Sequence, residues 1–273
     1  MKSPITYYGG KAKMIPDLAK LYIHTPRYCE PCAGGLSWFW AKQPSDFEVI
    51  SDTNGNITNF YRVLKSPRMF TKLVAMAEGT AYSEFAWEEA RYIYLNGSGY
   101  SLPERAWAFW MLYNCSFGGM GQYGSFQIVT HNTDKWIPPT SLKTKRESLK
   151  YYGKRLEKTM ILTKSCNIII PKFDHVDMFF YIDPPYYQAC QGPYGGYTRE
   201  NFIALLTICA KLKAKFLLSS YSCELLSDFV EKNKWNQKLL DKPLLVNGNS
   251  KRKIESLVYN YYVDEYRQTE LLL

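Results

Sequence analysis

One carboxylate followed by two prolines and two tyrosines, Asp183-Pro184-Pro185-Tyr186-Tyr187, is the stretch of this sequence best equipped for chemistry. Prolines lack N–H donors and fix φ, so the chain here must run stiff and extended, with carbonyls that no ladder consumes. An amine conjugated to an aromatic base is a poor nucleophile, because its lone pair is delocalised into the ring. Two acceptors aimed at its N–H bonds would pull the nitrogen toward a tetrahedral geometry and localise that pair. The Asp183 carboxylate and the Pro184 carbonyl are candidates for those acceptors, with Pro185 stiffening the loop. Tyr186 offers a face on which an unpaired base can stack. The competing reading is a strand end and tight turn whose tyrosines pack as core.

The elements around this loop are those of an open α/β sheet. Phe179-Phe180-Tyr181-Ile182 is a short apolar run closed by breakers, the pattern of a buried parallel strand, and ligands bind beyond the carboxyl ends of such strands. Upstream, Tyr28-Cys29-Glu30-Pro31-Cys32-Ala33-Gly34-Gly35 reads as a strand, a glycine turn and the approach to a helix beginning at Trp38, Phe39 and Trp40. Its glycines permit close approach to a ligand, yet neither G-x-G-x-x-G nor a P-loop is present, which favours a nucleoside without phosphates. Phe47 to Ser51 predicts a second strand ending in Asp52-Thr53, and an acid about 20 residues after a glycine turn is placed to take ribose hydroxyls. At the start, Tyr7-Tyr8-Gly9-Gly10-Lys11 forms a close-approach loop able to present Tyr7 and Lys11 to a small ligand, or simply an N-terminal turn.

Residues 66–165 interrupt the strand–helix rhythm. Helices are predicted from Ser83-Glu84 to Leu95, where Asn96-Gly97 can end the first, and from Pro103 through Leu112. A glycine-rich, polar and aromatic loop from Tyr113 to Gln127 follows, containing Asn114, Tyr123 and Ser125, and its composition suits contacts to base edges or a structural Ω-loop. Lys143 to Lys158 carries seven basic residues against two acidic ones in sixteen positions. Leu142, Leu149, Tyr152 and Leu156 recur at near-helical spacing, predicting one amphipathic helix whose Lys143, Lys145, Lys150, Lys154 and Arg155 track phosphates. Past the central strand, Gln188 to Tyr197 reads as a lid, Thr198 caps a helix over 199–213, and Lys215 to Tyr221 is a strand. A short helix over 224–232 precedes a closing strand pair, 237–246 and 254–262, joined by a polar, basic linker.

The chain has 273 residues, 34 Lys and Arg against 25 Asp and Glu, and a net charge of +9, which suits a polyanionic partner. At 46% hydrophobic it is not a disordered chain. Its seven cysteines lack the spacing of a disulfide framework, and Cys29-Glu30-Pro31-Cys32 has no partner pair at zinc spacing, so free thiols and no metal are expected. With no signal peptide and no membrane-length apolar run, the expectation is a cytoplasmic protein.

Taken together, four motifs resemble the DNA adenine methyltransferases of the Dam-like, D12 class. They are Tyr7-Tyr8-Gly9-Gly10-Lys11, Pro31-Cys32-Ala33-Gly34-Gly35, Asp52-Thr53-Asn54 and Asp183-Pro184-Pro185-Tyr186, in the family's order. The resemblance implies a Rossmann-like S-adenosylmethionine-dependent fold formed by residues 1–65 and 166–273, with 66–165 a mainly helical target-recognition insertion. It implies methyl transfer to the exocyclic N6 amine of a flipped adenine in duplex DNA; a monomer is only the default, and a dimer stays open. Tyr7, Lys11, Glu30, Pro31, Cys32, Ala33, Gly34, Gly35, Asp52, Thr53 and Asp183 are then expected at the cofactor. Tyr7 stands where tryptophan is commoner, Cys32 where phenylalanine is, and the arginines of the family's N-R-x-x-F-N-G-x-x-R loop are absent. Methylation of the cytosine amine, of RNA or of a protein amide, and a silent DNA-binding module, are the alternatives.

Overall fold

The computed structural model describes residues 1–128, 138–187, 196–246 and 249–263. Its strands are β1 (Arg27–Glu30), β2 (Phe47–Ser51), β3 (Thr159–Leu162), β4 (Met178–Ile182), β5 (Lys215–Tyr221), β6 (Asn236–Val246) and β7 (Asn249–Tyr259). Helices α1 (Ile15–Leu21), α2 (Ser37–Ala41), α3 (Gly55–Lys65), α4 (Pro67–Gly79), α5 (Glu84–Leu95) and α6 (Leu102–Cys115) precede β3, as do α7 (Pro138–Ser148) and α8 (Tyr152–Arg155). After it come α9 (Cys166–Lys172), α10 (Arg199–Cys209) and α11 (Glu224–Asn233).

The seven strands form one sheet in the order β3-β2-β1-β4-β5-β7-β6. β1 runs parallel to β2 and β4, and β4 to β5, while β7 is antiparallel to both β5 and β6. This is the α/β architecture expected from the sequence. The order turns back between β1 and β4, and that switch point is where open α/β sheets leave a crevice at their carboxyl ends. Every residue of β4 is buried, the burial that its unbroken apolar run requires.

The chain divides into two compact units. The first holds residues 1–12, 34–44 and 52–163; the second holds 13–33, 45–51 and 164–273. In the first, α6 is apolar on all sides and accordingly buried, with Trp107, Phe109, Trp110 and Met111 at most 4% exposed. A capping box of Ser101 and Glu104 starts it, and Ser83 caps α5 through the Ala86 N–H. Helix α4, β3 and α9 were not anticipated.

Three sequence expectations change. The basic stretch is not one helix: it breaks into α7, a 3-10 turn over Leu149–Tyr151 and the single turn of α8. Helix α10 stops at Cys209, short of the expected 213. The basic linker is largely strand, because β7 starts at Asn249 and pairs residue by residue with β6. Of the expected lid, 188–195 lies outside the described residues.

Two basic side chains expected on DNA are committed inside the first unit. Lys145 donates to Thr6 Oγ1 at 2.6 Å and to Asn114 Oδ1 at 2.5 Å, tying α7 to the N-terminal segment and the end of α6. Arg155 donates to the Phe39 carbonyl at 3.0 Å and lies 3.8 Å from the centre of the Phe39 ring. Both side chains are half-buried and spend these donors within the unit. Burial pulls the Lys145 ammonium down from 10.5 to about 8. Between these values the unfolded chain holds more protons than the native one, so stability rises with pH across that window. Lys145→Met should flatten the rise, as read from urea midpoints at pH 8, 9 and 10; equal slopes in both proteins would show that Lys145 is not desolvated.

Candidate active site

Within the first unit, the glycine turn, the strand-end acid and the opening loop are one structure. Asp52 accepts from the Gly34 N–H at 3.0 Å through Oδ2 and from the Asn54 N–H at 2.9 Å through Oδ1. Burial raises its carboxyl above the usual carboxylate value, while the N–H groups of Gly34, Asn54 and Thr53 hold it down. The Gly34 carbonyl accepts from Tyr61 Oη at 2.7 Å and the Gly35 carbonyl from Ser3 Oγ at 2.7 Å. Gly34 has φ +44°, a backbone that side chains rarely adopt.

Tyr7 fills the space that these glycines leave. A Cβ on Gly35 would stand 2.7 Å from Tyr7 Cβ, and one on Gly34 would stand 3.0 Å from Tyr7 Cε1. The Tyr7 ring also stacks on Tyr113 of α6, with centroids 5.1 Å apart and planes 14° from parallel. Gly10 N–H closes a tight turn onto the Tyr7 carbonyl at 3.0 Å, and Lys11 Nζ reaches the Gly9 carbonyl at 2.9 Å. The turn is therefore shaped by an aromatic side chain of its own unit. Thr53 is exposed beside it.

The glycine-rich loop after α6 is held by the same unit. Gly119 and Gly121 have φ of +66° and +57°, and a Cβ on either would come within 2.7 Å of Thr6 O or Tyr113 Cζ. Asn114 accepts from the Thr6 N–H at 2.9 Å and donates to the Pro4 carbonyl at 3.1 Å. With Lys145 on the same oxygen, its amide is a brace rather than a reader of base edges. Phe117, Tyr123, Ser125 and Ile128 are exposed, and so are Lys143, Lys150 and Lys154.

In the second unit the loop after β4 carries a carboxylate–phenol network. Tyr186 Oη donates to Asp183 Oδ1 at 3.2 Å, meets Ser219 Oγ of β5 at 2.7 Å, and bonds Glu255 Oε1 of β7. Ser219 Oγ donates to the same Glu255 oxygen at 3.0 Å. The Tyr186 ring stands edge-on to Tyr221, centroids 4.5 Å apart. Burial, then Asp183 and Glu255, push the Tyr186 phenol well above its usual value. Tyr181 is raised by burial and then by Asp183, Glu30 and Glu255. Glu30, at the end of β1, is buried and accepts from Tyr28 Oη. Three carboxylates thus gather at the carboxyl edge of this unit's sheet. Ser219, Tyr221 and Glu255 were missed from the sequence, since only the strand register brings them to Asp183.

Pro31 is buried and Ala33 binds the end of β2, its N–H donating to the Ser51 carbonyl at 2.8 Å. Cys32 hydrogen-bonds Cys166 at the start of α9, which draws the Cys166 thiol below its usual value. Pro184 is buried and Pro185 half-buried.

A sequence model of the D12 class of N6 adenine-specific DNA methyltransferases matches residues 7–242. The chain belongs to that family. It is also 25% identical over 230 residues to the type II methyltransferase M.CviBI of Paramecium bursaria Chlorella virus NC1A, covering 80% of this chain and 82% of that one. The protein is an enzyme that methylates adenine in DNA, on a Rossmann-like methyltransferase fold. No helix among the described residues of the methyltransferase is long and apolar enough to cross a membrane.

The glycine turn gives a stability test. Gly35→Ala forces Cβ into Tyr7 and should cost about 1–3 kcal/mol, whereas Gly55→Ala, with no atom within 4 Å, should cost nothing. Equal denaturation midpoints for the two variants would show that Tyr7 yields freely.

Proposed function

We propose that the methyl donor is S-adenosylmethionine and the acceptor the N6 amine of an adenine flipped out of duplex DNA, the enzyme acting as a monomer. The single observation supporting this most is the loop after β4, where Asp183 is braced by Tyr186 and followed by prolines without N–H donors.

The residues present suit such a donor. In the first unit, glycines at positions 34 and 35 allow close approach to the backbone, and Asp52 and exposed Thr53 follow the second strand. In the second, Glu30, Asp183 and Glu255 concentrate negative charge, which favours a sulfonium cation. Tyr7, Lys11, Gly34, Gly35, Asp52 and Thr53 are assigned to the donor in the first unit; Glu30, Pro31, Cys32 and Ala33 in the second. When bound, the sulfonium supplies an electrophilic methyl group, so no covalent enzyme intermediate is needed. Asp183 and the Pro184 carbonyl accept the N–H bonds of the amine and localise its lone pair on nitrogen. Both acceptors are fixed before the base arrives, so little reorganisation opposes the reaction. Flipping costs a few kcal/mol, offset by those bonds and by stacking on an aromatic face. Residues 66–165 form the target-recognition insertion, with Tyr123, Ser125, Lys143, Lys150 and Lys154 toward DNA.

Asp183→Ala should abolish transfer of a labelled methyl group to DNA with the circular dichroism spectrum unchanged; retained turnover would refute the assignment. Replacing Lys143, Lys150 and Lys154 by Gln should weaken binding on every DNA sequence and lower the salt slope by about 3, one per phosphate contact. An unaltered slope would place the phosphate track elsewhere.

A further inference from the structure

Amine methylation leaves a proton to be removed. When the nitrogen takes the methyl group it becomes cationic while still carrying both hydrogens, and neutral product requires that one leave. A carboxylate that accepts that proton must be emptied before the next turnover. In this enzyme Asp183 Oδ1 is in contact with the Tyr186 hydroxyl, which in turn bonds Glu255 Oε1.

We propose that Asp183, Tyr186 and Glu255 form a proton relay that carries the amine's proton from the reacting base to the half-buried Glu255. The proposal rests on the reading of Asp183 as the amine's acceptor. The N–H bond breaks with its electron pair left on nitrogen, and an O–H bond forms on Asp183. That proton then passes to the Tyr186 oxygen as Tyr186 releases its own to Glu255 Oε1. Asp183 returns to carboxylate, Tyr186 to phenol, and Glu255 gives the proton to water. Nothing is oxidised or reduced.

Three features of the network favour a relay over a brace alone. Oxygens of Asp183, Ser219 and Glu255 all surround one phenolic oxygen, which has a single proton to give. Burial and the two flanking carboxylates keep that phenol protonated, so it can release a proton only as it accepts one. Ser219 Oγ touches both Tyr186 Oη and Glu255 Oε1, so a second hydroxyl follows any shift of the first. Glu255 is half-buried, so part of the residue at the far end of the series reaches solvent. The 3.2 Å step from Tyr186 to Asp183 is the longest in the series, as contacts in an enzyme without substrate often are.

The test measures multiple-turnover methyl transfer on duplex DNA for Glu255→Gln, Tyr186→Phe and the double variant, with DNA affinity alongside. Each single variant should slow turnover about a hundredfold, the low end of what positioned acid–base groups supply, while DNA affinity stays within about twofold. The double variant should be no slower than either single one, since each breaks the same path. Formate should restore rate to Glu255→Ala and leave the wild type unchanged, a rescue that a purely structural role would not give. A Glu255→Gln rate within about twofold of wild type, multiplicative losses in the double variant, or no formate rescue would overturn the relay. If Asp183→Ala kept its turnover, the acceptor reading itself would fall. An inactive Asp183→Ala beside a full-rate Glu255→Gln would overturn the relay alone.

Discussion

The exit of β4 from the sheet is the constraint on which the catalytic features depend. A fully buried strand must end with its last carboxylate off the ladder, and two prolines ensure that no N–H is left to pull the chain back. The phenol of Tyr186 turns back onto Asp183. That phenol is anchored in its turn by β5 and β7 through Ser219 and Glu255. Sheet register, rather than loop sequence, therefore fixes where the carboxylate sits.

A comparable economy governs the first unit. Asp52 is the residue most readily assigned to a ligand, yet two of its acceptor positions already hold the Gly34 and Asn54 N–H groups. A carboxylate has about four such positions, so pinning the turn and meeting a ligand are compatible. The glycines admit the Tyr7 side chain, which packs where a Cβ would stand. Binding residues that also hold the fold come preorganised, which lowers the entropy lost on association.

Much of this was legible in the sequence where local chemistry and global position agree. The apolar run before Asp183 and the caps at Ser83 and Thr198 all fell where the pattern put them. What was not legible depends on long-range pairing. Ser250 to Lys253 has the composition of a solvated linker and is strand because each residue faces one of β6. Pro243 lies on β6, the sheet's last strand, where a missing donor costs least. Lys145 and Arg155 looked like any solvated charge, since nothing in their neighbours along the chain reveals Thr6 or the Phe39 carbonyl. Glu255 was hidden for the same reason.

The central claim is that the Asp183 carboxylate and Pro184 carbonyl together hold the amine of an extruded adenine. A crystal structure of the enzyme with duplex DNA and an unreactive sulfonium analogue tests it most directly. The account predicts both oxygens within about 3.2 Å of the adenine N6 atom. An adenine bound in the enzyme with N6 turned away from Asp183, or held by other side chains, would contradict it.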